Sequence, residues 1–160
     1  MKQIDEKTNV MRILDGKKIE YNHYNYIESG AISGMEVAEA LNENPDMVFK
    51  TLVTVGKSGN HYVFLLPVNK ELDLKKAAKS VGEKSIEMVK SKELLPLTGY
   101  IHGGCSPIGM KKQFPTWIDE TAQLFDTICV SGGKVGLQVE LNPADLIELI
   151  DGKYAAIAVE

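Results

Sequence analysis

Phe49-Lys50-Thr51-Leu52-Val53-Thr54-Val55 and His61-Tyr62-Val63-Phe64-Leu65-Leu66-Pro67-Val68 flank a short polar run, Gly56-Lys57-Ser58-Gly59-Asn60. Two apolar stretches rich in β-branched and aromatic residues, broken by a glycine turn, read as an antiparallel hairpin. Asp73 then caps a helix with Leu74, Ala77, Ala78 and Val81 inward and Lys75, Lys76 and Lys79 outward, stopped by Gly82. A hairpin followed by a helical crossover favours an α+β fold with a mixed sheet, or a partial barrel, over a doubly wound sheet.

The same reading extends along the chain. Thr8 caps a helix with Val10, Met11, Ile13 and Leu14 at helical spacing, ending near Gly16. Residues 19–27 alternate and carry Tyr21, Tyr24 and Tyr26, as a strand does. Ser33 and Glu36 have capping-box spacing ahead of Val37, Ala38 and Leu41, and Asn44-Pro45-Asp46 closes that helix. A short strand is expected over 85–89, helical turns over 91–97, and strands over 116–118, 124–130 and 135–141. Asn142-Pro143 starts a helix with proline at its first position, Gly152 ends it, and residues 154–159 form a last strand. The expected total is about seven strands and four or five short helices.

A chain of 160 residues with 44% apolar and 25% charged residues fits one globular domain spanning 1–160. No apolar run approaches the roughly 20 residues of a membrane span, so no membrane partner is expected. Met1-Lys2-Gln3-Ile4-Asp5-Glu6-Lys7 lacks the apolar core of a signal peptide, and the two cysteines lack metal-ligand spacing. A reduced, cytoplasmic protein with free thiols follows as the expectation. The net charge of −4 argues against electrostatic grip on long nucleic acid. Between Lys75 and Lys112, however, eight lysines face three acids, a local excess of +5. Such a segment suits either a solvated helix surface or brief contact with a few phosphates.

Three features could carry chemistry. Gly103-Gly104-Cys105-Ser106-Pro107-Ile108-Gly109 is a loop whose glycines let backbone N–H groups approach a ligand. Ser131-Gly132-Gly133-Lys134 is a second such loop, but it precedes a strand, so it lacks the helix terminus of a phosphate-binding loop. Lys50 lies in an apolar strand, where it either faces solvent or donates at a pocket mouth, while Thr51 points the other way. Ser106 is not in a nucleophile elbow and has no paired histidine among His23, His61 and His102. Cys105 has no evident base to lower its pKa. There is no zinc, NTPase or dinucleotide signature, and no cofactor is expected.

Phe49 to Val53, Leu74 to Gly82, Thr98-Gly99-Tyr100 leading into Gly103 to Gly109, and Val130 to Leu137 together resemble the YbaK/EbsC family over residues 5–159. Members of that family are free-standing Cys-tRNA(Pro) deacylases related to the editing domain of prolyl-tRNA synthetases. The resemblance implies a mixed sheet closed into a barrel-like core with helices around it. It also implies hydrolysis of a mischarged aminoacyl ester at a tRNA 3′ end, with the substrate's own thiol attacking its ester carbonyl. By this resemblance Lys50 contacts the terminal nucleotide and is the catalytic candidate. Gly103, Gly104, Ser106 and Pro107 hold the aminoacyl group, with Thr51, Ser131 and Gly132 also binding substrate. The pocket tyrosine is Tyr24, chosen among Tyr21, Tyr24 and Tyr26.

Two departures stand out: Cys105 occupies a position where an apolar residue is common, and Gln138 one where some relatives carry an acid. Aminoacylated tRNA and prolyl-tRNA synthetase are the implied partners. Deacylation of another amino acid, such as alanine on tRNA(Pro), and a non-catalytic module binding tRNA ends or a synthetase are the alternatives.

Overall fold

The computed structural model describes residues 7–160, so the signal-peptide reading of the first residues lies outside the described chain. The hairpin forms as its sequence dictates. β2 (Phe49–Gly56) and β3 (His61–Pro67) pair antiparallel from Phe49 opposite Pro67 to Val55 opposite His61. Glu83 secures the turn, accepting from the Ser58 amide at 3.2 Å and from the Tyr62 hydroxyl at 2.7 Å. The Ser58 hydroxyl, which also donates to Glu83, and then the Tyr62 hydroxyl hold the Glu83 carboxyl below its ordinary pKa.

Five helices and six further strands make up the rest of the described residues. They are α1 (Asn9–Gly16), β1 (Tyr21–Asn25), α2 (Gly34–Ala40), α3 (Leu74–Val81), β4 (Ile86–Met88), α4 (Ser91–Thr98), β5 (Thr116–Asp119), β6 (Ile128–Ser131), β7 (Leu137–Leu141), α5 (Pro143–Ile150) and β8 (Lys153–Ala155). The expected caps operate. Thr8 accepts from Met11 N–H, Asp73 from Lys75 and Lys76 N–H, and Asn142 from Ala144 N–H. Ser33 and Glu36 complete a reciprocal capping box.

The strands form two sheets. One has the order β1-β7-β6, all antiparallel. The other has the order β4-β2-β3-β5-β8, with β3, β5 and β8 parallel. A single parallel bridge, Val48 to Cys129, connects them. The expectation of about seven strands closing into a barrel-like core is therefore incorrect. The outer strands β4 and β8 have three residues each, too short to supply a closing ladder. After β8 the chain turns back, and Ala158 bridges to Leu72 ahead of α3 instead of reaching β1.

Alternation along the strands separates two main apolar layers. Phe49, Val53, Val63 and Leu65 join Val130, Leu137, Val139 and Leu141 in the large core between the sheets. Phe64 and Leu66, from the opposite face of the hairpin, pack with Ala77 and Ala78 of α3.

Several local expectations shift: the last strand, expected over 154–159, is only Lys153–Ala155, and the one expected over 135–141 begins at Leu137. Leu74, expected inward, is exposed because Ala77 and Ala78 already fill the shallow contact with the sheet. The strand expected from Leu124 begins only at Ile128, since residues Glu120–Leu124 form a 3-10 turn capped by Asp119. Asn44-Pro45 caps a separate 3-10 turn, Pro45–Met47, instead of merely ending α2. No helix among the described residues is long and apolar enough to cross a membrane.

Candidate functional site

The register of the smaller sheet places Tyr24 opposite Gln138 and Gln138 opposite Ser131. The Val48–Cys129 bridge continues this register onto β2. Two residues beyond it on each strand stand Lys50 and Ser131, and the two-residue side-chain period sets them on one face. Tyr24, Gln138, Ser131 and Lys50 thus form a row across four strands, on the side opposite the inter-sheet core. Above the row, α2 and the segment before it close a cavity of about 350 Å³. Its wall includes Lys50, Thr51, Gly103, Ser131 and Gln138. This size falls in the range of small-molecule sites.

The two glycine loops meet at one end of this cavity. A Cβ on Gly104 would stand 3.0 Å from the Val135 nitrogen and 3.2 Å from the Lys134 carbonyl carbon, so the loops pack backbone to backbone. Gly103 adopts φ +87°, a conformation L side chains rarely take, and lines the cavity.

Ser106, Pro107, Gly104 and Gly132 are buried behind that wall and do not line it. Ser106 is 0% exposed, and its Oγ accepts from the Ile108 amide at 3.2 Å. The hydroxyl fixes the loop's turn and is not poised as a nucleophile. Cys105 lines the cavity, but burial pushes its thiol up to about 12, which leaves it protonated at neutral pH.

Lys50 is half-buried, and its Nζ donates to the Lys70 carbonyl oxygen. Burial lowers its pKa, with Glu71 opposing the shift. Thr51, on the other face of β2, keeps its Oγ1 buried without a hydrogen-bond partner.

Tyr24 stands in the row, yet it is outside the cavity wall. Its hydroxyl donates to Glu140 Oε1 at 2.6 Å, a bond that pushes the phenol up to about 12. Tyr26, 6% exposed, lines the cavity instead, held there as its amide donates to the Gly136 carbonyl at 2.8 Å. His102, Ile32 just before α2 and Met35 in its first turn also contribute to the wall. Tyr26 is one of the three tyrosines that compete for the pocket in the sequence, and His102 figures there only as a partner for Ser106 or Cys105, whereas Ile32 and Met35 carry no sequence signal as site residues. The capping box at Ser33 marked the helix start but carried no sign of what that start faces.

Comparison with known proteins now decides the family. Residues 30–149 match the aminoacyl-tRNA editing domain. The chain belongs to the aminoacyl-tRNA editing domain family. The YbaK/EbsC resemblance is borne out. EbsC of Enterococcus faecalis, named as a proposed Cys-tRNA(Pro)/Cys-tRNA(Cys) deacylase, is 47% identical over 99% of this chain and 98% of its own length. A proline–tRNA ligase of Shouchella clausii is 31% identical over 63% of this chain, which corresponds to 18% of the ligase. Among solved structures, one described as a proposed trans-editing enzyme for prolyl-tRNA synthetase superposes with a TM-score of 0.81. The match covers 97% of this chain and 100% of its own at 23% identity. A hypothetical protein superposes at 0.87, with 19% identity over 95% of this chain and 100% of its own. These two likenesses speak for the fold.

Proposed function

We propose that this editing domain acts in trans as a deacylase that removes cysteine from mischarged Cys-tRNA(Pro). The observation that carries this reading is a cavity flanked by a lysine and two glycine loops, in which neither reactive side chain is armed. The Cys105 thiol is protonated and the Ser106 hydroxyl is occupied by the Ile108 amide. Relatives named for Cys-tRNA deacylation and proline–tRNA ligation support the choice of substrate.

An aminoacyl ester is activated, so positioning and charge stabilisation suffice when the substrate brings its own nucleophile. The substrate's sulfur forms a bond to its ester carbonyl carbon, and the carbon–oxygen bond to the ribose breaks. The thiol's proton ends on the released ribose hydroxyl. Water then opens the cyclic thioester and frees cysteine. Lys50, released from the Lys70 carbonyl, orients the terminal nucleotide, while Gly103, Ser131 and the backbone around them cradle the cysteinyl group. Gly104, Ser106, Pro107 and Gly132 hold the two loops in that shape, and Thr51, a lining residue with an unpaired Oγ1, offers the substrate a hydrogen-bonding group. Prolyl-tRNA synthetase supplies the contacts that select tRNA(Pro), because a chain of charge −4 grips tRNA weakly by itself.

Hydrolysis of Cys-, Ala- and Ser-tRNA(Pro) by the isolated protein, with and without the synthetase, tests this reading. Turnover of the cysteinyl ester in clear preference to the other two is expected. Equal turnover of Ala-tRNA(Pro) would overturn the role of the substrate thiol, and binding without hydrolysis would leave a tRNA-end-binding module.

A further inference from the structure

Gln138 is 3% exposed, lines the cavity and occupies the middle of the Tyr24–Ser131–Lys50 row. Its Nε2 donates to Glu43 Oε1 at 2.9 Å, while its Oε1 is buried and has no hydrogen-bond partner. Among the described residues the only other such buried side-chain atom is Thr51 Oγ1, on another lining residue. A buried carbonyl left unpaired is costly, so its persistence calls for an occupant.

The identity of the facing atom is fixed by Glu43. A carboxylate oxygen only accepts, so the amide must turn its NH₂ to Glu43 and its oxygen the other way. Glu43 stands just after α2, where its amide donates to the Ala38 carbonyl at 2.8 Å, and its second oxygen accepts from the Cys129 thiol at 3.7 Å. The carboxylate is therefore anchored on two sides, and the orientation of Gln138 follows from it.

We propose that Gln138, oriented by Glu43, receives a primary ammonium group in the cavity: the α-amino group of the aminoacyl ester. This rests on the deacylase reading. Gln138 supplies the acceptor and Glu43 the negative charge behind it. The pair thereby furnishes, from two elements, what a single carboxylate at position 138 would furnish from one. Glu43 is a positioning residue, acting through Gln138.

The test compares wild type with Glu43→Gln and Gln138→Met, near-isosteric changes. Glutamine at 43 can donate to the Gln138 oxygen and turn the amide's NH₂ toward the cavity, while methionine has no comparable acceptor. Turnover is measured on Cys-tRNA(Pro) and on its N-acetyl derivative. Binding is measured by calorimetry with 3′-cysteinylamino-3′-deoxyadenosine and its N-acetyl form, which carry a non-hydrolysable amide.

Wild type should prefer the free amine by about tenfold in both measurements, the scale of a hydrogen bond to a charged group. Both variants should lose that preference while treating the N-acetyl ligands as wild type does. An unchanged preference, or an equal loss on both ligands, overturns the proposal. Because the binding arm needs no catalysis, it decides the ammonium site even where wild type fails to hydrolyse the tRNA, the outcome that would sink the deacylase reading.

Discussion

Gly104 lies flat against the backbone of Val135, so close that a methyl group on it would stand 3.0 Å from the Val135 nitrogen and fit only if the facing loop gave way. The neighbouring atoms are main-chain atoms of the second loop, which cannot swing aside as the end of a side chain can. Gly104→Ala should therefore part the two loops, cost about 1–3 kcal/mol as overpacking does, and raise KM for the aminoacyl ester. Thermal melting and steady-state kinetics on the same preparation check both halves.

Lys50→Met should reduce kcat/KM by about tenfold or more while leaving the fold in place, since the half-buried stem is replaced by one of similar shape. Circular dichroism and deacylation kinetics separate the two effects. Full turnover by Lys50→Met would remove Lys50 from the mechanism.

Ser106→Ala should behave as a loop mutation. It leaves the Ile108 amide without its acceptor, at a cost of about 1–3 kcal/mol in a buried site. A lowered melting temperature with most of kcat retained is expected. Abolished turnover with intact tRNA binding would point back to a serine nucleophile.

Cys105→Ala should retain turnover, because a thiol held at about 12 exposes roughly one thiolate in ten thousand at pH 8. The same shift sets an alkaline stability limit. The unfolded chain releases the thiol proton from about pH 9 while the folded chain keeps it until about 12. Stability from this group is thus complete below pH 9 and is lost as pH rises through that window. Tyr24 and Tyr100, each raised from 10.0 to about 12, act in the same direction over the upper part of it. Urea unfolding from pH 8 to 11 should show falling stability, with a shallower fall in Cys105→Ala.

The elements were legible where their cause is local. The Gly56–Asn60 turn, the Ser33–Glu36 capping box and the Asn142-Pro143 helix start each depend on residues within a few positions, and the structure has them all. Closure was not legible, because it depends on which strand edges meet. Nothing near Lys153 or Tyr21 in sequence tells that β8 stops short of β1.

The site divides in the same way. Family motifs carried Lys50, Ser131 and the glycine loops. The exchange of Tyr26 for Tyr24 at the wall, and the reach of Glu43 to Gln138, arise from register and from packing between residues 95 positions apart. Glu43 carried no signal at all, since it sits singly in a polar turn.

The lone rung between Val48 and Cys129 makes the site a seam. Lys50 rides on one sheet, while Ser131, Gln138 and Tyr24 ride on the other. A slip of one residue along that line displaces the lysine by about 3.3 Å and turns it to the opposite face. Under the proposed mechanism, alignment of the two halves is therefore a condition of the chemistry, and a ligand that touches both Lys50 and Ser131 would rivet them together.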